Sequence, residues 1–157
     1  MSLLELFSQE MTKDYAIEIL NWRYLPPYEM YNQEEGEAGL AELLDESYKV
    51  VLGQDGRITG FYCTGLAAQV PKGHDFGVYD EACVDIGLGM KPELTGRGFG
   101  SEFLAFVLRE IDIGSLRLTV AKFNERAIRL YEKFEFERVN EFWSGETPFI
   151  VMLRKAE

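Results

Sequence analysis

The chain has 157 residues, of which 46% are hydrophobic and 27% charged, and its formal net charge is -11. This length fits one domain with a sizeable core, so we expect a single domain over residues 1–157. The acidic balance argues against binding along a nucleic-acid backbone and favours either cationic substrates or solubility alone. The sequence has no apolar run long enough to span a bilayer, and its first residues lack the basic region of a signal peptide. We therefore expect a cytoplasmic protein that binds neither nucleic acid nor membrane.

Metal and thiol chemistry have little support in the sequence. The cysteines Cys63 and Cys83 lie in strand-like apolar runs, where a free cysteine behaves as a small hydrophobe. They form no CxxC pair, and the chain has one histidine, His74, in a polar loop. We expect no metal site, and we expect His74 to be an exposed loop residue rather than a general base.

The first part of the chain predicts a short strand and a helix. The strand is expected over residues 3–7, and the helix begins at Thr12 or Asp14 and ends near Trp22. Pro26 and Pro27 then stop any helix. The loop that contains these prolines and follows the helix also carries Trp22, Tyr24, Tyr28 and Tyr31. Such aromatic side chains either line a substrate cleft or cover the edge of the core, and the first reading assigns Trp22, Tyr24 and Tyr28 to substrate binding.

The next segment predicts a helix followed by two strands. The helix covers residues 37–46, with Leu40, Leu43 and Leu44 on one side. The strands cover residues 48–52 and 57–70, and a turn at Asp55-Gly56 joins them.

A strand that begins near Cys83 leads into a glycine-rich turn and then into a helix with an apolar face. Glycines at positions 96, 98 and 100 allow positive φ and leave no side chain between the backbone and a ligand. The first N–H groups of the helix have no intrahelical partners, so this arrangement predicts a phosphate site over Thr95 to Gly100. Gly87 and Gly89 indicate a bulge or the close approach of an extended ligand such as pantetheine.

The last third of the chain predicts a strand, a helix and two further strands. The strand at residues 116–121 should lie parallel to the one before it, because a helix connects them. Asn124 is the expected N-cap of a helix that ends near Phe134 and that places Tyr131 on its inward face. The final strands are expected over residues 136–142 and 147–153.

These residues resemble two motifs of the GNAT superfamily of N-acetyltransferases. The segment GMKPELTGRGFGSEFL is similar to the family's acetyl-CoA-binding motif, with matches at Pro92, Gly98 and Gly100. Thr95 stands where the family has Arg or Gln. The segment VAKFNERAIRLYEKFEF resembles the second motif.

In that second motif the matching residues are Asn124, Ala127, Tyr131 and Phe136. Glu135 stands where the family has glycine, so we expect the end of this helix to be capped differently. Together the two motifs cover roughly the second half of the chain.

The resemblance implies a GNAT-type α/β (α+β) fold. Its central sheet is mixed and mostly antiparallel, with about seven strands, about four helices and a splayed parallel pair in the middle. It also implies direct attack of an amine on bound acetyl-CoA, with a backbone N–H near Leu88 to Met90 stabilising the oxyanion and Tyr131 protonating or hydrogen-bonding the thiolate. The residues assigned to acetyl-CoA are Leu88, Gly89, Met90, Thr95, Gly96, Arg97, Gly98, Phe99, Gly100, Ser101 and Asn124.

The attacking amine must lose a proton, and a base is expected to take it. Asp85 lies two residues before Gly87 and shares its face of the strand, so it is the predicted base. The alternative interpretation is a solvated or hydrogen-bonded strand carboxylate. The acceptor is expected to be a cationic small-molecule or peptide amine, and the protein a monomer or homodimer.

Two alternatives use the same residues. A GNAT-like domain could bind acyl-CoA without catalysis, as a sensor or partner module. A dinucleotide-binding oxidoreductase would instead use Gly96 to Gly100 as its fingerprint. Ser101 then stands where a third glycine or alanine should be, and no acidic residue ends a following strand at the right distance.

Overall fold

The structure is a computed structural model, and it describes residues 5–33, 36–111 and 114–156. This part of the chain contains seven strands and four α-helices. In chain order the elements are β1 (Leu6–Glu10), α1 (Lys13–Leu20), α2 (Gly36–Leu43), β2 (Tyr48–Gly53), β3 (Ile58–Thr64), β4 (Val84–Met90), α3 (Gly100–Glu110), β5 (Leu116–Ala121), α4 (Glu125–Lys133), β6 (Glu137–Ser144) and β7 (Thr147–Arg154).

The strands form one seven-stranded sheet in the order β1-β2-β3-β4-β5-β7-β6. Strand β1 pairs with β2, and β7 pairs with both β5 and β6, in antiparallel fashion. Strands β4 and β5 are parallel. The mixed, mostly antiparallel sheet with one parallel pair confirms the expected fold.

The chain divides into two compact units. The first consists of residues 1–62 and 88–111, and the second of residues 63–87 and 112–157. Ile19, Val50, Leu104 and Val107 are among the fully buried side chains of the first unit. Those of the second unit include Ile86, Ile128, Phe136, Ile150 and Val151. The single domain over residues 1–157 stays a prediction.

Two helices begin where the sequence predicts. The Thr12 hydroxyl accepts a hydrogen bond from the Tyr15 amide at 3.3 Å and caps α1. The Asn124 side chain accepts one from the Ala127 amide at 3.2 Å and caps α4. Each cap satisfies an N–H group that has no partner inside its helix. Of the two starts expected for the first helix the structure has Thr12, and the predicted N-cap at Asn124 is confirmed.

Other boundaries differ from the sequence-based ones. The strand expected to reach residue 70 ends at Thr64, because Gly65 takes a left-handed φ of 78° and short 3-10 turns follow. Helix α2 ends at Leu43, so Leu44 lies beyond it and is 42% exposed. Strand β1 begins at Leu6, and the earlier part of the predicted first strand, residues 3–4, lies outside the described residues.

No helix in the described ranges combines the length and the apolar character that crossing a membrane requires. Across the same residues, His, Cys, Asp and Glu side chains form no group of three or more that could hold a metal ion.

Candidate active site

Strand β4 is paired with β5 over a short distance. It is seven residues long, and its parallel register pairs Val84 with Leu116 and Asp85 with Arg117. The strand continues to Met90, well past these pairs. This short register agrees with the expected splayed pair, because fully paired strands would share a ladder along their length.

The glycines of β4 are required by packing. A Cβ atom on Gly87 would lie 2.8 Å from the Cys63 sulfur, and one on Gly89 would overlap the Phe61 ring. Gly60, on the neighbouring strand β3, is required for the same reason, because a Cβ atom added to it would overlap the Gly89 carbonyl oxygen. Close packing of strand side chains and backbone therefore explains glycines that the sequence analysis attributed to a bulge or a ligand.

The turn before α3 is built on glycine conformations. A 3-10 turn at residues 92–94 follows β4, and then Gly96 and Gly98 take φ values of 71° and 85°. Both values lie in the left-handed region that glycine adopts at low cost. A Cβ atom on Gly98 would have no atom within 4 Å, so one side of the turn is open.

Helix α3 begins without a side-chain cap. Phe99 precedes it in a helical conformation and offers no capping hydrogen bond. In an α-helix the first N–H groups, here those of Gly100 and Ser101, have no acceptor within the helix, and the helix dipole adds positive potential there. An open glycine at position 98 and main-chain amides at an uncapped helix terminus fit a phosphate group.

The side chains of the turn are partly engaged. The Thr95 hydroxyl donates a hydrogen bond to the Pro92 carbonyl oxygen at 2.7 Å, so in this rotamer its oxygen is left to act as an acceptor. Arg97 is exposed and donates to the Glu93 carbonyl oxygen at 3.3 Å. Of the two, Arg97 carries the positive charge that an anion would meet.

The predicted substrate-binding aromatics lie at different depths. Trp22 is buried, with its ring centroid 6.1 Å from that of Phe61. Tyr24 is half-buried and donates a hydrogen bond to the Met90 carbonyl oxygen at 2.7 Å. Burial, and secondarily the charge of Glu93, raise the pKa of Tyr24 above its usual range. Tyr28 is half-buried in a 3-10 turn.

The predicted base, Asp85, is buried in an ion pair. Its Oδ1 accepts a hydrogen bond from Arg117 Nε at 2.7 Å. Its Oδ2 accepts from Arg117 Nη2 at 2.9 Å and from Gln69 Nε2 at 2.8 Å. A bidentate arginine contact of this kind fixes a carboxylate strongly. The assignment of Asp85 as the base stays a prediction, but these contacts give the carboxylate a structural task.

Sequence reasoning missed the residues around Asp85. The guanidinium carbon of Arg117 lies 5.2 Å from the centre of the Tyr79 ring, and the Tyr79 hydroxyl is 2.8 Å from Thr119 Oγ1. The Tyr79 hydroxyl also accepts a hydrogen bond from the Val70 amide at 2.9 Å. One feature of the sequence could have indicated this group of side chains: Arg117 is the one charged residue of the apolar strand LRLTVA.

Residues of the second motif lie on α4. Asn124 caps this helix, and Tyr131 is half-buried with its ring centroid 6.1 Å from that of Phe136. Glu135, which replaces the family's glycine, has a φ of 72°. The Phe136 amide donates to the Tyr131 carbonyl oxygen at 3.1 Å, and the Glu135 amide donates to that of Glu132 at 3.1 Å. This is the glycine-type Schellman ending, so the expectation of a different cap was wrong.

His74 is an exposed residue of a 3-10 turn at residues 71–76, and its ring packs 5.0 Å from that of Tyr79.

Comparisons with known proteins bear on this arrangement. A family model described as the acetyltransferase (GNAT) family matches residues 14–136. A comparison with curated protein sequences gave no significant match.

Several solved structures share the fold. A chimera of spermidine N-acetyltransferase SpeG from Vibrio cholerae and hSSAT is 17% identical, with a TM-score of 0.69 over 96% of this chain and 95% of that one. A GNAT-family acetyltransferase from Bacillus anthracis is 14% identical, with a TM-score of 0.69 over 97% and 96%. A mutant of the Vibrio cholerae spermidine enzyme is 16% identical, with a TM-score of 0.64 over 96% and 93%.

At these identities, the likeness to solved structures shows the fold. The family model covers most of the chain, including both the glycine-rich turn before α3 and the motif on α4. The chain belongs to the GNAT acetyltransferase family.

Proposed function

We propose that this protein is an acetyl-CoA-dependent N-acetyltransferase that transfers an acetyl group to a primary amine by direct attack. The observation that carries the proposal is the uncapped start of α3 behind the left-handed Gly96 and Gly98, within the family match. Main-chain amides at such a terminus bind phosphate oxygens without help from side chains.

Acetyl-CoA would be held mainly by backbone groups. The pyrophosphate fits the turn and first helical residues, and Arg97 adds charge there. The extended pantetheine chain would lie along the end of β4. The proposed contacts are Leu88, Gly89, Met90, Thr95, Gly96, Arg97, Gly98, Phe99, Gly100, Ser101 and Asn124.

The reaction needs one nucleophilic step and two proton transfers. The amine nitrogen attacks the thioester carbonyl carbon, the C–N bond forms, and the C–S bond breaks to release the CoA thiolate. A main-chain N–H among Leu88 to Met90 would stabilise the oxyanion, an effect worth roughly 3 kcal/mol for one preorganised donor. Tyr131 would supply the proton to the thiolate, an assignment that rests on its match with the second motif.

The proton of the amine must go to a base or to water, since most amines are protonated near neutral pH. Asp85 is the base that sequence reasoning proposes. Its contacts with Arg117 and Gln69 support water as the immediate proton acceptor instead. The pH–rate profile of Asp85→Asn decides this, because loss of a base would remove the acidic limb of the profile.

The acceptor is proposed to be a cationic amine. The net charge of -11 supports this class through electrostatic attraction, and two of the similar structures are named as spermidine N-acetyltransferases. Polyamines, lysine side chains and peptide N-termini all belong to the class. Trp22, Tyr24 and Tyr28 are the residues that the sequence analysis assigns to acceptor binding.

The test is release of free thiol from acetyl-CoA in the presence of a panel of amines, with CoA binding measured separately by calorimetry. We expect thiol release with at least one cationic amine and a large loss of turnover in Tyr131→Phe. CoA binding with no thiol release for any amine would favour the alternative, a non-catalytic acyl-CoA-binding module. Absence of CoA binding would overturn both.

A further inference from the structure

The peptide unit between Met90 and Lys91, at the end of β4, is held at both of its polar ends. Its carbonyl oxygen, on Met90, accepts the Tyr24 hydroxyl at 2.7 Å. Its N–H, on Lys91, donates to the Thr59 carbonyl oxygen at 2.9 Å. The C=O and N–H of a trans peptide point in opposite directions, so the two partners fix the plane of this unit from opposite sides.

The residues just before this peptide are held by packing. Gly89 lies against the Phe61 ring, and its carbonyl oxygen lies close to Gly60. Trp22, two residues before Tyr24, packs on the same Phe61 ring. The end of β4 and the loop after α1 are therefore joined through one aromatic side chain and one hydrogen bond.

Tyr24 is itself fixed and neutral. Its amide donates to Asn32 Oδ1 at 2.8 Å, which holds its backbone in place. Burial is the main cause that raises its pKa, so the phenol keeps its proton and remains a donor throughout the neutral range. A tyrosine that donates to a carbonyl also polarises the peptide it contacts, which strengthens that peptide's N–H as a donor.

We propose that Tyr24 is a positioning residue that orients the main-chain N–H groups at the end of β4 toward the acetyl-CoA carbonyl, rather than a residue that contacts the acceptor amine. This inference rests on the proposed function, because it concerns the segment Leu88 to Met90 that would stabilise the oxyanion. Fixing the Met90–Lys91 peptide restricts the backbone dihedrals of Met90, and so the direction of the donors before it. Such preorganisation acts on the transition state more than on the ground state.

The test compares Tyr24→Phe with Tyr62→Phe. Tyr62 is a matched control, since its hydroxyl is likewise hydrogen-bonded, to Ser8 Oγ at 2.9 Å, and it lies outside the proposed machinery. In Tyr24→Phe we expect amide hydrogen exchange at Lys91 to quicken by about tenfold or more, because one end of the peptide is released. We also expect kcat to fall by about tenfold while the KM values for acetyl-CoA and amine stay within about twofold. Tyr62→Phe should change none of these.

Two results would overturn the proposal. One is exchange at Lys91 that is no faster in Tyr24→Phe than in Tyr62→Phe. The other is a raised KM for the amine with an unchanged kcat, which would place Tyr24 in contact with the acceptor. The exchange measurement needs no turnover, so it reports on Tyr24 even if the wild-type protein releases no thiol and the proposed function fails.

Discussion

The two halves of β4 are held in different ways. The first half is held by side chains and by pairing, with Asp85 in a buried ion pair with Arg117 on the neighbouring strand. The second half is held through its backbone, by the Phe61 ring at Gly89 and by the Tyr24 hydroxyl at Met90. A carboxylate that lies close in sequence to the glycine-rich turn can thus have a structural role. The contacts give the first half a structural role, and we propose that the second half carries the chemistry.

The largest expected effect is in the first half. Arg117→Ala leaves the buried Asp85 carboxylate without its charge partner, which should lower the free energy of unfolding by about 3–5 kcal/mol. Denaturant titration measures this value. Lys122→Ala is the control, since it breaks an exposed pair with Glu141 at 3.1 Å and should cost less than about 1 kcal/mol. Equal losses of unfolding free energy in the two variants would contradict a stabilising role for the ion pair in the first half of β4.

In the second half, Gly89→Ala should lower the free energy of unfolding by about 1–3 kcal/mol, because the new methyl group overlaps the Phe61 ring and the backbone must move. Gly53→Ala is the matched control in another strand, where the nearest atom would be an ordinary 3.4 Å from the new Cβ. Thermal unfolding compares the two. A Gly89→Ala protein as stable as Gly53→Ala would show that packing does not require this glycine.

One left-handed backbone position, at the end of α4, is occupied by a residue with a side chain rather than by glycine. Glu135 takes a φ of 72°, which costs a residue with a side chain about 1–2 kcal/mol compared with glycine. Glu135→Gly should therefore stabilise the protein by about 1 kcal/mol. Glu137→Gly is the control, because it removes the same charge from the extended strand β6. It should lower the free energy of unfolding of the protein by about 0.5–1 kcal/mol. Loss of stability in Glu135→Gly would contradict the observed helix ending.

The last expected effect is confined to alkaline pH. The pKa of Tyr24 is raised in the folded protein by burial, so the unfolded chain loses this proton first as the pH rises above about 10. The stability that Tyr24 contributes is present below that pH and declines above it, by at most about 1.4 kcal/mol per pH unit. Tyr24→Phe should lose unfolding free energy less steeply than the wild type between pH 9 and about 11. Identical slopes in urea titrations would argue that Tyr24 is accessible to water.

Local patterns predicted much of this molecule. Strand β5 occupies residues 116–121, as its apolar run indicates, and Asn124 caps α4 because an N-cap depends on residues only three positions apart. The glycine-rich turn was likewise readable, since left-handed conformations favour glycine at Gly96 and Gly98.

Contacts between distant residues were not readable from the sequence. Asp85 and Arg117 lie 32 positions apart, and only the parallel register brings them together. Tyr24 and Met90 are 66 positions apart, so nothing local shows that the hydroxyl is already engaged. The reason for Gly89 depends on Phe61, a residue of another strand.

The most direct test of the account is a titration of the ¹⁵N-labelled protein with CoA, followed by amide chemical shifts. We expect the largest changes at Leu88 to Met90 and at Gly96 to Ser101, with little change at Val84 and Asp85. Shifts concentrated on Val84 and Asp85, or no saturable change at the turn, would contradict the assignment of cofactor binding to the second half of β4 and the start of α3.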